Sequence, residues 1–321
     1  MDIDKTLTRV EELWFFDSGL IVQAEQSLYR VSGGILAARS PIFKDMLSFT
    51  QPPDAETIDG CPVVRLPDRA ADVTCFFRAI FDSSFFEPHP RLVNLHHVLS
   101  ILHLSNKYSI EYLLRRAMVH LSSLYPTTLA EYDEGGFSSL LDLEEEDILP
   151  SRIATIQVAR EVNALWILPS ASYEIASIDE AIVDKTLQCV WYKDRPARLS
   201  DGDQILFLKS SMRISRQENF ILASINPPNV IHGCLREVTC TLERLRTLTD
   251  VQNSLTENCE ALRLLHQLGD LLDGCCQVCI DHLETALAEA RQAVWDKLPG
   301  FCGLPSWDVL EEMKEKAFEE D

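Results

Sequence analysis

Residues 27–49, SLYRVSGGILAARSPIFKDMLSF, constrain the fold of this chain more than any other stretch, because they lay a strand, a tight turn and an amphipathic helical segment end to end. Ser27 to Val31 is a β-prone run. Gly33-Gly34 breaks it, and Ile35, Leu36, Phe43, Met46 and Leu47 then recur at helical spacing. Ser40-Pro41 interrupts that period in the way a new helix start does, so the segment reads as one short helix followed by another.

The surrounding sequence extends this unit. Leu13 to Phe16 and Leu20 to Ala24 are two further β-prone runs, set off by Asp17-Ser18-Gly19 and by the polar Glu25-Gln26, which is hairpin punctuation. After the polar, proline-bearing residues 51–60, CPVVRLP reads as a strand returning to a sheet edge. The helical period comes back through Val73, Phe76, Phe77 and Ile80, continues through Val98, Leu99, Leu102 and Leu104, and Ile110 to Leu124 adds a third helix of this group.

A chain of 321 residues is long enough for two or more domains. The best boundary is the stretch EYDEGGFSSLLDLEEEDILP, because residues 129–151 hold eight Asp or Glu and no Lys or Arg. The expected organisation is therefore a first domain over residues 10–125, an acidic linker over 126–151 and a second domain over 152–321. In that second domain Ile153 to Val162, Ser177 to Tyr192, Asp203 to Ile225, Cys234 to Leu248, Ser254 to Leu272 and Cys276 to Val294 read as helices. It is expected to be all-α, and no repeat period of 20 to 50 residues emerges from it.

The net charge of -21 leaves no basic stripe with which to hold a phosphate backbone, so nucleic acid is not an expected partner. No apolar run reaches the roughly 20 residues that span a bilayer, and MDIDKTLTRVEE carries acids where a secretory signal carries a basic flank and an apolar stretch. No membrane association is expected. Ten cysteines without a regular framework read as reduced thiols, and the expected location is cytoplasmic or nuclear.

Taken together, LYRVSGGILAARSPIFKDML resembles the strand and helical hairpin that open a BTB/POZ domain. LHHVLSILHLSNKYSIEYLLRRAMVHLSSL, residues 95–124, is similar to the helical half of such domains, with Asn106-Lys107-Tyr108 at the polar-aromatic step between two helices. The wording of LWFFDSG, ILAARSPIF, CPVVRLPD, FDSSFFEP and SSLYPTTL looks like the large fungal, basidiomycete-type set of BTB proteins with a helical C-terminal region. LPGFCGLPSWDVLEEMK, residues 298–314, looks like a tail of the same set, and residues 152–295 occupy the position that BACK domains take elsewhere. The resemblance implies an α+β N-terminal domain, a small sheet flanked by helical hairpins, followed by the all-α C-terminal domain.

What the resemblance implies about association is specific to residues. Many BTB domains place His and then a basic residue just after the strand, where this chain has Ser32 and Gly33. The basic group that shapes a charged dimer pocket is missing, which leaves an apolar dimer or partner surface to be formed by Leu13, Trp14, Phe15, Ile35 and Met46.

The residues that carry chemistry elsewhere are sparse. Cys275, Cys279 and His282 would share one face of a continuous helix, with a fourth zinc ligand from Cys259 or Cys302, but three ligands from one helix suit tetrahedral closure poorly. Thiols packed in a helical core are the plainer reading. His96 and His103 lie seven residues apart on a helix and read as half-buried or surface histidines rather than ligands. Ser32 before Gly33-Gly34 is not a nucleophile elbow, and the Gly pair lacks the spacing of a phosphate or dinucleotide loop. Glu144, Glu145, Glu146 and Asp147 do not alternate with spacers as calcium loops do. Trp166, Trp191, Trp295 and Trp307 read as core or inter-helix packing residues.

No catalytic residue and no cofactor is expected. The expected function is a non-enzymatic protein-protein interaction module or scaffold that self-associates as a homodimer. The resemblance also allows a substrate adaptor that docks on a cullin scaffold of a ubiquitin ligase. A transcriptional corepressor-type regulator ranks behind both, because no zinc fingers and no basic patch accompany the domain.

Overall fold

The computed structural model describes residues 7–49, 56–135, 145–176, 183–255, 262, 272 and 274–319. The chain divides into two compact units between Ser123 and Leu124.

The first unit is built on a five-stranded sheet in the order β1-β3-β2-β5-β4. Its strands are β1 (Thr8–Trp14), β2 (Leu20–Ala24), β3 (Ser27–Val31), β4 (Thr57–Ile58) and β5 (Cys61–Leu66). β2 and β3 form an antiparallel hairpin whose Glu25 takes a left-handed φ of 51°, while β2 also runs parallel to β5 and β1 runs parallel to β3. The central position of β2 explains its sequence. Leu20, Ile21, Val22 and Ala24 are all buried, the near-continuous apolar pattern of a strand with neighbours on both edges. β4 and β5 are joined through Asp59-Gly60, both at positive φ, as the tight hairpin turn of a right-twisted ribbon requires.

The helical hairpin after β3 consists of α1 (Gly33–Arg39) and α2 (Pro41–Ser48), each started by a serine. The Ile35 N–H donates to Ser32 Oγ and the Phe43 N–H donates to Ser40 Oγ at 3.0 Å, so both N-termini have a side-chain cap. Ser40 has a second task. Its hydroxyl, buried at 1% exposure, donates to the Tyr108 carbonyl at 2.5 Å and so ties the hairpin to a distant part of the unit.

That distant part is the group α3 (Ala70–Phe81), α4 (Leu95–Lys107) and α5 (Glu111–Leu124). Val73, Phe76 and Phe77 are fully buried on α3, as their spacing predicts, and Phe43 of α2 stacks on Tyr108 at 4.6 Å between ring centres. Tyr108 donates its hydroxyl to the buried Asp68, which Lys107 also contacts. The polar-aromatic step of the sequence is thus a packed corner, and Ser109 turns it at a φ of 51°.

The second unit is mostly helical: α6 (Leu129–Gly135), α7 (Glu145–Glu161), α8 (Leu168–Ala176), α9 (Val183–Thr186), α10 (Asp201–Ser224), α11 (Glu237–Leu255), α12 (Gln277–Trp295), α13 (Leu298–Phe301) and α14 (Trp307–Phe318). It is not all-α. Val190–Tyr192 and Arg195–Ala197 form an antiparallel hairpin, β6 and β7, inside or just after a stretch read as helix. The reason is local: Val190-Trp191-Tyr192 is β-prone, and Lys193 and Asp194 both take φ > 0, at 47° and 61°, in a two-residue turn.

The acidic segment also differs from a solvated strip. Leu129 and Tyr132 lie in the core that α10, α11 and α12 share, and Leu149 is buried in α7. Glu144 lies outside the described residues, as does Cys259.

Trp295 anchors this core. It stacks on Trp307 at 5.4 Å and donates its indole N–H to the Thr127 carbonyl, while the Trp307 N–H donates to the Trp295 carbonyl at 2.8 Å. Trp166 is equally buried. Trp191, on β6, is 65% exposed and does not pack in the core, because a two-stranded ribbon leaves one of its faces to solvent.

Candidate functional site

Two features stand out from this frame, one in each unit. The first is an open depression of about 860 Å³ in the N-terminal unit, lined among others by Phe15, Leu20, Gly33, Ile35, Leu47 and Phe81. It forms where the turn after β1, the start of β2 and the start of α1 meet. Gly33 makes part of its floor: a Cβ there would lie 3.4 Å from Leu47 Cδ1 and 3.5 Å from Leu20 Cδ2. Among the described residues Asp17 is the one charged residue in the lining. The lining is mostly apolar, and none of its described residues is a cation.

The five residues expected to make an apolar association surface separate into two groups. Leu13 and Trp14 are core residues, 1% and 6% exposed, and as consecutive strand residues they bury opposite faces of the sheet, Trp14 against Ile21, Leu28 and Cys61. Ile35 is 45% exposed and lines the depression, as does the half-buried Phe15, and Met46 is half-buried on α2. Phe16, next to Phe15 in the chain, is 79% exposed, and Phe49, which follows α2, is also exposed. Reading the strand as ending at Phe16 hides the value of that residue. β1 ends at Trp14, so the alternation that would bury one of the two phenylalanines does not reach them.

The second feature is a group of four cysteines in the C-terminal unit. The Sγ atoms of Cys234, Cys240, Cys276 and Cys279 all lie within 4.8 Å of one another. Cys234 follows a turn at Gly233, whose φ is 82°, and Cys240 sits in the first turn of α11. Cys276 is the N-cap of α12 and Cys279 is in its first turn. Backbone N–H groups point at the sulfurs. The Cys276 N–H donates to Cys240 Sγ at 3.2 Å, and the N–H groups of Leu235 and Cys279 hold the Cys276 thiol down at about 6.

Among the described residues this is the one convergence of three or more potential metal-ligand side chains. It contains Cys279 but neither Cys275 nor His282. α12 starts at Gln277, so Cys275 lies outside the helix and the shared helical face never forms. The Cys275 thiol instead contacts the Cys240 carbonyl at 3.8 Å, burial pushes it up to about 11, and His282 is exposed. Cys302 is buried elsewhere, beside Ser210. Cys234 and Cys240 are not legible as ligands from the sequence, because a C-x5-C spacing is uninformative until its partner pair, the C-x2-C of 276 and 279, is set beside it.

The remaining chemical candidates resolve into structure. Ser32 caps α1. His96 and His97 are neighbours on α4 with ring centres 6.0 Å apart, and His97 packs on Phe85 at 4.8 Å. Burial, with the charges of His96 and Arg78, pushes the His97 imidazole down to about 4. An unfolded histidine takes its proton near pH ~6.5, so between there and about 4 the unfolded chain binds the proton that the native chain refuses. Stability is therefore lost as pH falls through that window. Thermal melts across it are expected to show a steeper decline for the wild type than for His97→Gln, and parallel curves would refute this assignment.

No helix among the described residues is long and apolar enough to cross a membrane. No protein-family model, curated protein or solved structure matches this chain.

Proposed function

We propose that this protein is a non-enzymatic protein-protein interaction module that self-associates through its N-terminal unit. The observation that carries the reading is the apolar depression bordered by Ile35 and Phe15, with Phe16 exposed beside it in the chain. Large apolar side chains that remain exposed together mark association surfaces more often than scattered single ones do.

A second copy of the chain is the occupant that its chemistry suits best. The molecule carries a net charge of -21, so two copies repel one another over most of their surface. The depression carries a single carboxylate, Asp17, and two such faces meet with little like-charge opposition. The BTB/POZ resemblance of residues 10–125 supports the same geometry of association, and the departures at Ser32 and Gly33 leave it to shape and apolar contact.

Light scattering at micromolar concentration is expected to give twice the 36.4 kDa mass of one chain. Ile35→Asp would place a charge in the depression of each copy and return the mass to one chain. A wild-type protein that is strictly monomeric under these conditions would sink the proposal.

A further inference from the structure

We infer that Cys234, Cys240, Cys276 and Cys279 form a structural zinc site. The inference stands apart from the self-association proposed above, since it concerns the C-terminal unit alone.

Geometry is the first ground. Zinc takes thiolates at ~2.3 Å in a tetrahedron, and the edge of such a tetrahedron is ~3.8 Å. Cys234 Sγ and Cys276 Sγ are 3.8 Å apart, and all four sulfurs fall within 4.8 Å of each other. The Cys234 to Cys276 separation is far too long for a disulfide, whose sulfurs sit at about 2.05 Å.

The backbone is the second. The ligands come in two pairs, 234 with 240 and 276 with 279, each pair spanning the entry to a helix: α11 for the first and α12 for the second. Two helix N-termini thus converge on the sulfurs, and their unpaired N–H groups and dipoles favour negative charge at that point. The Cys276 N–H bond to Cys240 Sγ is the outer support that keeps a thiolate ligand oriented. Gly233 at a φ of 82° turns the chain so that Cys234 reaches the group.

The donor set decides the metal and its role. Four soft thiolates in a closed group suit zinc, and no position is left for water or substrate, which makes the site structural rather than catalytic. Cys240, Cys276 and Cys279 are buried, and Arg236 donates to the Cys275 carbonyl at 2.9 Å, which sets a cation beside the negatively charged complex. Each ligand that is still a protonated thiol gives its proton to solvent, so uptake of zinc lowers the pH of an unbuffered solution.

The full chain, purified under reducing conditions without chelator, is expected to contain one zinc per chain by elemental analysis. A mercurial that blocks thiols should release that zinc to a colorimetric chelator. The metal-stripped chain given cobalt(II) should show the absorption of tetrahedral tetrathiolate cobalt, a readout on wild-type protein that needs no variant to fold. Cys276→Ser should lose the metal, while Cys275→Ser and His282→Ala keep it at wild-type content.

Failure of the wild type to take up either metal under reduction would overturn the inference. So would iron in place of zinc, retention of full zinc content by Cys276→Ser, or its loss in Cys275→Ser or His282→Ala.

Discussion

Arg152→Met is expected to lower the stability of this protein by about 3–5 kcal/mol, the cost of leaving a buried charge without its partner. Arg152 and Glu174 are 8% and 4% exposed, and they meet between α7 and α8 in the C-terminal unit. The guanidinium donates to Glu174 Oε2 at 2.6 Å and to the Glu174 backbone carbonyl at 3.0 Å. Removing the cation therefore strands a carboxylate among Tyr132, Tyr173 and the helices around them. Arg152→Met with Glu174→Leu should recover most of the loss, because the desolvation of both charges disappears together with their attraction. The Tyr132 hydroxyl donates to Glu174 at 3.3 Å and loses this acceptor in the double variant, which holds the recovery short of complete. Urea melts followed by fluorescence read both effects as shifts in midpoint at constant slope. A double variant no more stable than the single one would show that the pair is itself a net source of stability.

Phe77→Ala is expected to cost about 3–5 kcal/mol in the N-terminal unit, through lost burial and the cavity left behind. The ring is fully buried on α3 and sits edge-on to Tyr29 at 5.3 Å and to Phe81 at 6.1 Å, with Phe76 and Phe43 also adjoining. These neighbours come from β3, α2 and α3, so they cannot close over the gap by a movement of one side chain. Phe16→Ala supplies the contrast. That ring is 79% exposed, and its removal should change stability by no more than about 0.5 kcal/mol while weakening self-association. Equal losses for the two phenylalanines would contradict the packing described for α3.

The N-terminal unit was legible because its signals are local. Leu20–Ala24 and Ser27–Val31 are strands over the residues that alternation and punctuation mark out, and Ser40-Pro41 starts a helix through a hydroxyl cap and a fixed proline φ. The depression at Ile35 was half legible. Its apolar residues stand in the sequence, but whether Leu13 and Trp14 belong to it depends on where β1 ends and which way its last side chains turn. The second unit hid more, since Val190 to Tyr192 reads as the end of a helix until the left-handed Lys193-Asp194 turn is seen.

The cysteines mark the limit most sharply. Sequence by itself determined the helical start near Gln277 to within a residue, the thiol-rich character of the region and the spacing of 276 to 279. Only the tertiary structure decided which thiols meet, because periodicity reports the face of one helix, whereas Cys234 and Cys276 are 42 positions apart and their sulfurs meet where α11 and α12 begin. The same reason separates Phe15 and Ile35 from Leu13 and Trp14 in the N-terminal unit. Local backbone preference is written residue by residue, and convergence of distant side chains is settled by the packing that buries them.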